Sequence, residues 1–150
     1  MNATSTYVTK GDKIIWRSLI AAFTVPSLIF LVLTFWPLNP LEIKSVTIMN
    51  LHKTATMGDD IIFQVHYVKR TGMHGKVYRQ LINDRVINYR PHISSVPVGE
   101  RKGIGVLHMG KEEVPGKYQV NYTVVYRYFG FREVSVSGLS DEITIVERKG

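Results

Sequence analysis

The sequence predicts an all-β domain, an antiparallel β-sandwich of about seven strands, preceded by one transmembrane α-helix. Three observations lead to this fold class. The run from Ser18 to Trp36 contains no charged residue, whereas apolar and polar residues alternate from Tyr118 to Tyr128. Turn residues also recur about every 8–12 residues through the C-terminal part of the chain, a spacing typical of β-sandwiches.

The uncharged run is long enough to cross a bilayer. A helix rises about 1.5 Å per residue, so this stretch of about 19 residues spans roughly 30 Å, the thickness of the hydrocarbon core. Trp16 and Trp36 bracket the run and are predicted membrane-interface anchors together with Arg17, because such side chains favour the headgroup region. Pro26 lies within the segment and predicts a modest kink, which spanning helices tolerate.

Basic residues before the run predict its orientation. Lys10, Lys13 and Arg17 precede the span against a single acid, Asp12, and short flanks rich in Lys and Arg stay cytoplasmic. We therefore expect a single-pass membrane protein with a cytoplasmic N-terminus and an extracytoplasmic C-terminal domain. The predicted segments are a cytoplasmic tail (1–13), a transmembrane helix (14–36), a short linker (37–43) and a β-sandwich (44–148).

Two other interpretations of the apolar run stay open. The core helix of a soluble protein needs a large partner core, which the β-rich remainder of the chain is poorly suited to supply. A cleaved signal peptide has a similar basic start, but no small-x-small cleavage site follows the run, which ends Leu33-Thr34-Phe35-Trp36-Pro37. An uncleaved signal anchor fits these residues better.

Strand signals recur from Lys44 onward. Every second residue from Ile61 to Tyr67 is apolar, and the same period of two extends over the longer stretch from Tyr118 to Tyr128. Such alternation indicates one buried face and one wet face. Shorter candidate strands lie at Val46–Ile48, Val77–Ile82, Val86–Tyr89, Ile104–His108, Val134–Val136 and Ile143–Val146.

One motif resembles part of a known family. The stretch Pro115–Val120 reads Pro-Gly-Lys-Tyr-Gln-Val and is similar to the start of strand F in immunoglobulin-like domains. The resemblance implies an Ig-like or fibronectin-type β-sandwich from about Ile43 to Glu147, in which Tyr118 forms a tyrosine corner. Val120 stands where antibody domains carry a cysteine, and the usual strand C tryptophan is missing, so the resemblance is to the broad architecture. The alternative is that Tyr118 is an ordinary core tyrosine.

The sequence carries no enzyme signature. It has no cysteine, which excludes disulfides, thiolate metal sites and a cysteine nucleophile. None of its five histidines pairs with another at a metal-ligand spacing. The acidic pairs are adjacent residues beside turns, and neighbours on an extended chain point to opposite faces. We therefore predict a non-enzymatic protein without catalytic residues, metal ligands or cofactors.

Positive charge is concentrated in the middle of the predicted β-domain. From residue 69 to residue 102, eight basic residues stand against two acidic ones, Asp84 and Glu100, for a net charge of +6. Such a cluster predicts contact with anionic lipid headgroups, an acidic protein partner or another polyanion, and a merely solvated face is the alternative. The candidate patch residues are Lys69, Arg70, Lys76, Arg79, Arg85, Arg90, Arg101 and Lys102.

These expectations combine into a binding function at a membrane. Because the linker after Trp36 is short, whatever the β-domain contacts is expected to lie at the membrane as well. We expect a membrane-anchored, non-enzymatic binding or assembly module, such as an accessory subunit of a membrane complex, whose partners are membrane lipids and a membrane protein rather than nucleic acid. The plan resembles small single-span proteins of bacteria and bacteriophages. The alternative is a membrane-active phage lysis or host-exclusion protein that acts through the helix, and the oligomeric state stays open.

Overall fold

The computed structural model describes residues 10–35, 38–110 and 114–148, without the side chains of Lys10, Asp12 and Phe35. The chain divides into two compact units between Pro37 and Leu38. The first unit contains one helix, and the described strands all lie in the second. Each unit is therefore considered by itself.

The N-terminal unit is a single helix, α1 (Lys10–Phe35). Its segment Lys13–Thr34 is long and apolar enough to cross a membrane or to act as a signal anchor, and none of it is buried within the protein. The helix begins at Lys10, earlier than the predicted start at residue 14. The Thr24 hydroxyl donates to the Ile20 carbonyl at 2.7 Å, so this polar group is satisfied within the helix, as a lipid environment requires.

The C-terminal unit contains nine strands and one short 3₁₀-helix, Leu51–Lys53, among its described residues. Strand β1 begins at Leu41, inside the stretch 37–43 that the sequence predicted as a linker. The connection to the helix is therefore shorter than expected. In chain order the strands are β1 (Leu41–Ile48), β2 (Thr54–Thr56), β3 (Asp60–Lys69), β4 (Gly75–Ile82), β5 (Val86–Asn88), β6 (His92–Ser94), β7 (Gly99–His108), β8 (Gly116–Tyr128) and β9 (Arg132–Val146).

The strands form a mixed sheet that curls on itself, in the order β5-β4-β8-β9-β1-β3-β7, with β2 beside β9 and β6 beside β4. Most neighbours are antiparallel. However, β9 is parallel to β1, where Val46 pairs with Ser140, and parallel to β2 along Thr54–Thr56. The sheet thus differs from the purely antiparallel sandwich of about seven strands that the sequence predicted. Alternation along a strand fixes which face is buried, but it leaves the direction of the neighbouring strand undetermined.

The core lies on the inward faces of the strands with the clearest predicted alternation. Both β3 and β8 bury every second residue over most of their length. This burial confirms the period of two that the sequence shows in these stretches. The buried apolar residues of the two strands are Ile61, Phe63, Val65 and Tyr67 on β3, and Tyr118, Val120, Val124 and Tyr126 on β8.

Tyr118 makes the contact that its motif predicts. The side chain is buried, and its hydroxyl donates to the Val114 carbonyl at 2.7 Å. This bond returns from the start of β8 to the backbone just upstream, which is the geometry of a tyrosine corner. Val120, two residues further along, is fully buried. The bond therefore ties the loop before β8 to the core.

A β-bulge interrupts β9 at the point where this strand pairs with both β8 and β1. Ser140 and Asp141 together oppose Val120 of β8, because the register shifts at this point. The buried Ser140 hydroxyl accepts from the Val120 amide at 2.8 Å, and the Asp141 carboxylate accepts from the Ile48 amide at 2.9 Å. The two side chains thus satisfy amides that the interrupted ladder leaves unpaired.

Candidate functional site: a cleft along strand β7

The eight basic residues predicted as a patch do not form one open surface. Lys69 and Arg79 lie on the inward faces of their strands, in phase with buried apolar residues. Lys69 is only 3% exposed, and its Nζ donates to the Val96 carbonyl at 2.7 Å. Arg79 lies between Val77 and Leu81, which are both fully buried. These two charges are therefore directed into the domain rather than toward solvent.

The Arg79 side chain reaches from β4 to β7. Its Nη1 donates to the Val106 carbonyl at 3.0 Å, on the last strand of the sheet. Its Nε is buried and has no hydrogen-bond partner among the residues that the structure describes. A buried donor without a partner costs roughly 1–3 kcal/mol. This N–H is therefore an unsatisfied donor on a side chain that lines the cleft.

Three more of the predicted patch residues lie near the end of the β unit at which β1 begins. Arg70 directly follows β3, whose last residue pairs with Leu41, and its Nη2 contacts Glu42 Oε2 at 2.6 Å. Arg101 and Lys102 lie near the start of β7, which pairs with the end of β3. All three basic residues are exposed, so this end retains part of the predicted positive surface.

The last three patch residues are spread more widely. Lys76 lies at the start of β4, with its Nζ 5.3 Å from the centre of the Tyr78 ring. Arg90 is exposed after β5, and Arg85 is exposed in the turn between β4 and β5. That turn lies at the far end of β4 from Lys76. The structure thus collects part of the set at one end and separates Arg85 from it.

Two of the three predicted membrane-interface anchors lie near the N-terminal end of α1. Trp16 and Arg17 are on α1 with exposed side chains, and Trp16 is 65% exposed. Pro26 lies inside the helix. Trp36 falls outside the described residues. The described part of the helix therefore presents an open apolar surface with its indole and guanidinium near the N-terminal end.

A cleft of about 370 Å³ lies between β7 and the segment around β6. This volume falls within the range of small-molecule binding sites, which is about 300–1,000 Å³. Phe63, Tyr67 and Tyr122 line it with aromatic rings, and the Phe63 and Tyr122 ring centres are 6.1 Å apart. Arg79 joins these rings, so the cleft combines an apolar surface with one guanidinium.

Two glycines of β7 shape the cleft. Gly105 pairs with Phe63 and Gly103 with Val65, so both glycines fall on the inward face of the strand. A Cβ at Gly105 would lie 2.2 Å from Phe63 Cζ, whereas a Cβ at Gly103 would lie 3.6 Å from Tyr67 Cε1. The Phe63 ring therefore occupies the space above Gly105, while the space above Gly103 belongs to the open cleft.

The cleft has a positive electrostatic character. No carboxylate is among the described residues that line it. Burial raises the pKa of the Tyr122 hydroxyl, with Tyr67 adding to the effect and Arg79 opposing it. Burial and the nearby Arg79 charge lower the pKa of His92, which favours its neutral imidazole. The arrangement suits an apolar group that carries a carbonyl or carboxylate oxygen.

The cleft was not among the sites predicted from the sequence, although the sequence contains two signals for it. Gly103 and Gly105 are two residues apart on a strand, which places both on one face without side chains. Arg79 is in phase with Val77 and Leu81, and the same period of two marks it as inward-facing. Counting charges along the chain does not capture the direction in which each side chain points.

Other titratable groups form separate pairs on exposed faces. Glu100 Oε1 lies 2.8 Å from both Lys44 Nζ and His66 Nε2, and these hydrogen bonds lower the pKa of the Glu100 carboxyl. His108 Nδ1 lies 2.6 Å from Asp60 Oδ1. Within residues 10–35, 38–110 and 114–148, no group of three or more acids and histidines could hold a metal ion.

No protein-family model matches the chain, and no curated protein matches it. Solved structures with a similar shape include a mutant β-glucosidase from Listeria innocua in complex with laminaribiose, at 11% identity and a TM-score of 0.41. The match covers 71% of this chain but only 16% of the β-glucosidase. A protein of unknown function from Porphyromonas gingivalis W83 matches at 13% identity and a TM-score of 0.42, over 73% of this chain and 49% of that protein. Similarity at this level carries no information about activity or ligand.

Proposed function

We propose that the chain is a single-pass membrane protein whose β-domain is a non-enzymatic binding or assembly module. In this proposal α1 is the anchor, the N-terminus is cytoplasmic, and the β-domain binds a partner close to the extracytoplasmic surface of the membrane. An accessory subunit of a membrane complex fits this description. The cleft along β7 is the observation that carries the binding role.

The strand order supports an Ig-like or fibronectin-type assignment of the β-domain. The runs β1-β3-β7 and β5-β4-β8-β9 correspond to strands A-B-E and C′-C-F-G of that architecture. The Tyr118 bond to Val114 then lies at the start of strand F, where a tyrosine corner belongs. In this assignment Arg79 lies on strand C, the strand on which antibody domains carry their core tryptophan.

The short connection supports a partner that lies at the membrane. Residues 36–40 connect Phe35 to Leu41 and, at about 3.5 Å per residue, reach roughly 20 Å at full extension. The basic residues Lys13 and Arg17 lie at the start of the apolar segment, and the positive-inside rule keeps such a flank in the cytoplasm. A partner of the β-domain is therefore most accessible if it is itself a membrane protein.

The position of the cleft supports an extended peptide segment as the bound element. β7 is the end strand of the sheet, so its outer edge can accept another strand except where Arg79 already binds Val106. A segment added there can place an apolar side chain beside Phe63 and Tyr122 and a carbonyl oxygen near the Arg79 guanidinium. We propose that the cleft binds such an extended segment of a membrane-protein partner.

Site-specific photo-crosslinking in membranes tests this proposal. Ile104 is 70% exposed and lines the cleft, so a photoreactive amino acid placed there reports on its occupant. Replacing Gly103 by Val fills the cleft without the clash with the Phe63 ring that is expected at Gly105. Gly72→Val is the matched control, because a Cβ at Gly72 meets no atom within 4 Å and Gly72 is not a cleft residue.

We expect a discrete crosslinked product of the full-length chain that Gly103→Val removes and Gly72→Val retains. A product that is unaffected by Gly103→Val, or no discrete product at all, would contradict a binding role for the cleft. If induced expression instead collapses the membrane potential, and does so with the β-domain deleted, the chain acts through its helix and the module proposal fails.

A further inference from the structure

We infer that the tip of the β8–β9 hairpin, Phe129-Gly130-Phe131, inserts into the headgroup region of the bilayer. This aromatic tip would fix which end of the β-domain faces the membrane. The inference rests on the proposed membrane anchoring by α1 and adds a second lipid contact to it. In this inference the aromatic tip contacts the bilayer interface and not a protein partner.

The aromatic tip exposes two large apolar rings. Phe129 is 59% exposed and Phe131 is 57% exposed, and their ring centres are 6.2 Å apart with an interplanar angle of 28°. The Tyr128 ring lies next to them, 6.3 Å from Phe129. The third Phe of the β unit, Phe63, is fully buried. Exposed Phe side chains bury favourably at the boundary between headgroups and acyl chains, and Tyr is enriched at the same interface.

The backbone of the aromatic tip indicates that the Phe129 ring has a role of its own. Phe129 has a φ of +52° and Gly130 a φ of +76°. Glycine adopts this left-handed conformation freely and asparagine tolerates it, whereas a bulky residue there is uncommon. The turn alone would therefore be better served by Asn or Gly at residue 129. A strained residue of this kind is a reason to look for function.

The strand register places the aromatic tip at the end of the β unit where the chain enters from α1. β9 runs parallel to β1, and Ser140 pairs with Val46. Following both strands back from this pair brings Leu41, the first residue of β1, level with Ser135. β9 begins at Arg132, about three residues or 10 Å beyond that level at 3.3 Å per residue. The tip thus projects past the point to which the short connection is attached.

The charge at this end of the β unit suits anionic headgroups. Lys76, Arg101 and Arg132 all lie near the level of Leu41 or between it and the tip. The nearby acids Glu42, Glu100 and Glu133 are each held in an ion pair with a basic residue. Basic residues near an anionic membrane surface are attracted to it, so they reinforce aromatic insertion at the same end.

Spin labelling of the full-length chain in vesicles tests the inference. The protein has no native cysteine, so a single introduced cysteine carries one nitroxide. Glu133→Cys places the label beside the aromatic tip with both Phe rings intact, and Val86→Cys places it on the exposed β4–β5 hairpin at the opposite end. Leu28→Cys, in the middle of α1, reports on the anchor itself. The vesicles contain phosphatidylcholine and phosphatidylglycerol in about a 3:1 ratio.

The readout is the accessibility of each label to lipid-soluble oxygen relative to a water-soluble nickel chelate. We expect this ratio to be at least several-fold higher at residue 133 than at residue 86. It should fall to the residue 86 value when Phe129→Ser and Phe131→Ser are combined, whereas Leu51→Ser, an exposed apolar control far from the tip, should leave it unchanged.

The outcomes separate the two proposals. A label at residue 133 that is as water-accessible as the one at residue 86, while the label at residue 28 is in lipid, overturns the hairpin insertion and leaves the anchor intact. An unchanged ratio at residue 133 in the double Phe variant likewise overturns the hairpin insertion and leaves the anchor intact. A water-accessible label at residue 28 overturns the anchoring proposal itself.

Discussion

The packing of β3 against β7 makes Gly105→Ala the sharpest stability test of this fold. Phe63 is fully buried, and its ring lies directly above the Gly105 backbone. An added Cβ would lie 2.2 Å from Cζ and 2.7 Å from both Cε atoms of that ring. Gly103→Ala is a matched control on the same face of the same strand, because its Cβ would lie 3.6 Å from the nearest atom.

The expected cost follows from these distances. To restore an ordinary contact of about 3.4 Å from 2.2 Å, the Phe63 ring or β7 must move by about 1.2 Å. Overpacking of this kind costs about 1–3 kcal/mol, and a displacement of this size, with three ring atoms in the clash, places Gly105→Ala near 3 kcal/mol. Gly103→Ala makes no clash and restricts the unfolded chain, so its effect should stay within about 1 kcal/mol of zero.

Thermal unfolding of the full-length chain in mild detergent measures the difference. At about 4 °C per kcal/mol for a domain of this size, Gly105→Ala should lower the Tm of the β signal in circular dichroism by about 12 °C. Gly103→Ala should leave the Tm within about 4 °C of the wild type. If the two variants have the same Tm, Phe63 does not pack on Gly105 and the described cleft wall is incorrect.

Three further predictions concern single side chains. Tyr118→Phe removes the bond to Val114 and should lower the free energy of unfolding by about 1 kcal/mol in chemical denaturation, and no change would contradict the tyrosine corner. Burial, reinforced by neighbouring tyrosines, raises the pKa of Tyr126 to about 12 from 10.0, so the unfolded chain ionises first and stability should fall as the pH rises from 10 to 12. Tyr126→Phe should flatten that part of the Tm–pH curve, and an equally steep curve would show that another group is responsible. Phe129→Asn relieves the left-handed φ of +52° and should raise the free energy of unfolding by about 1 kcal/mol, and a loss of stability would show that the exposed ring contributes to the fold.

The sequence predicted much of the secondary structure but little of the pairing between strands. The alternation along β3 and β8 correctly identified their buried faces, because burial on a strand depends only on the phase of its own side chains. The parallel position of β1 and β2 against β9 depends on how distant segments meet, which no local period encodes. The Tyr118 contact was predictable because donor, acceptor and turn lie within one short stretch.

The candidate site was harder to predict for a related reason. Lys69 and Arg79 contribute to a positive net charge in the sequence, yet both point inward and bind backbone carbonyls. Their phase relative to Tyr67 and Val77 was visible in the sequence, but the carbonyls that they reach belong to segments far along the chain. The cleft depends on how β7 packs on β3, with the Phe63 ring above Gly105 and open space above Gly103.

Cysteine accessibility in bacterial spheroplasts tests the central claim of a membrane-anchored module most directly. Thr47 is exposed on β1 and Gly11 lies near the start of α1, and each can carry the single cysteine of an otherwise cysteine-free chain. The account predicts that a membrane-impermeant maleimide labels Thr47→Cys in intact spheroplasts and labels Gly11→Cys only after permeabilisation, with both proteins retained in carbonate-washed membranes. Release of the protein from those membranes, or protection of Thr47→Cys in intact spheroplasts, would contradict it.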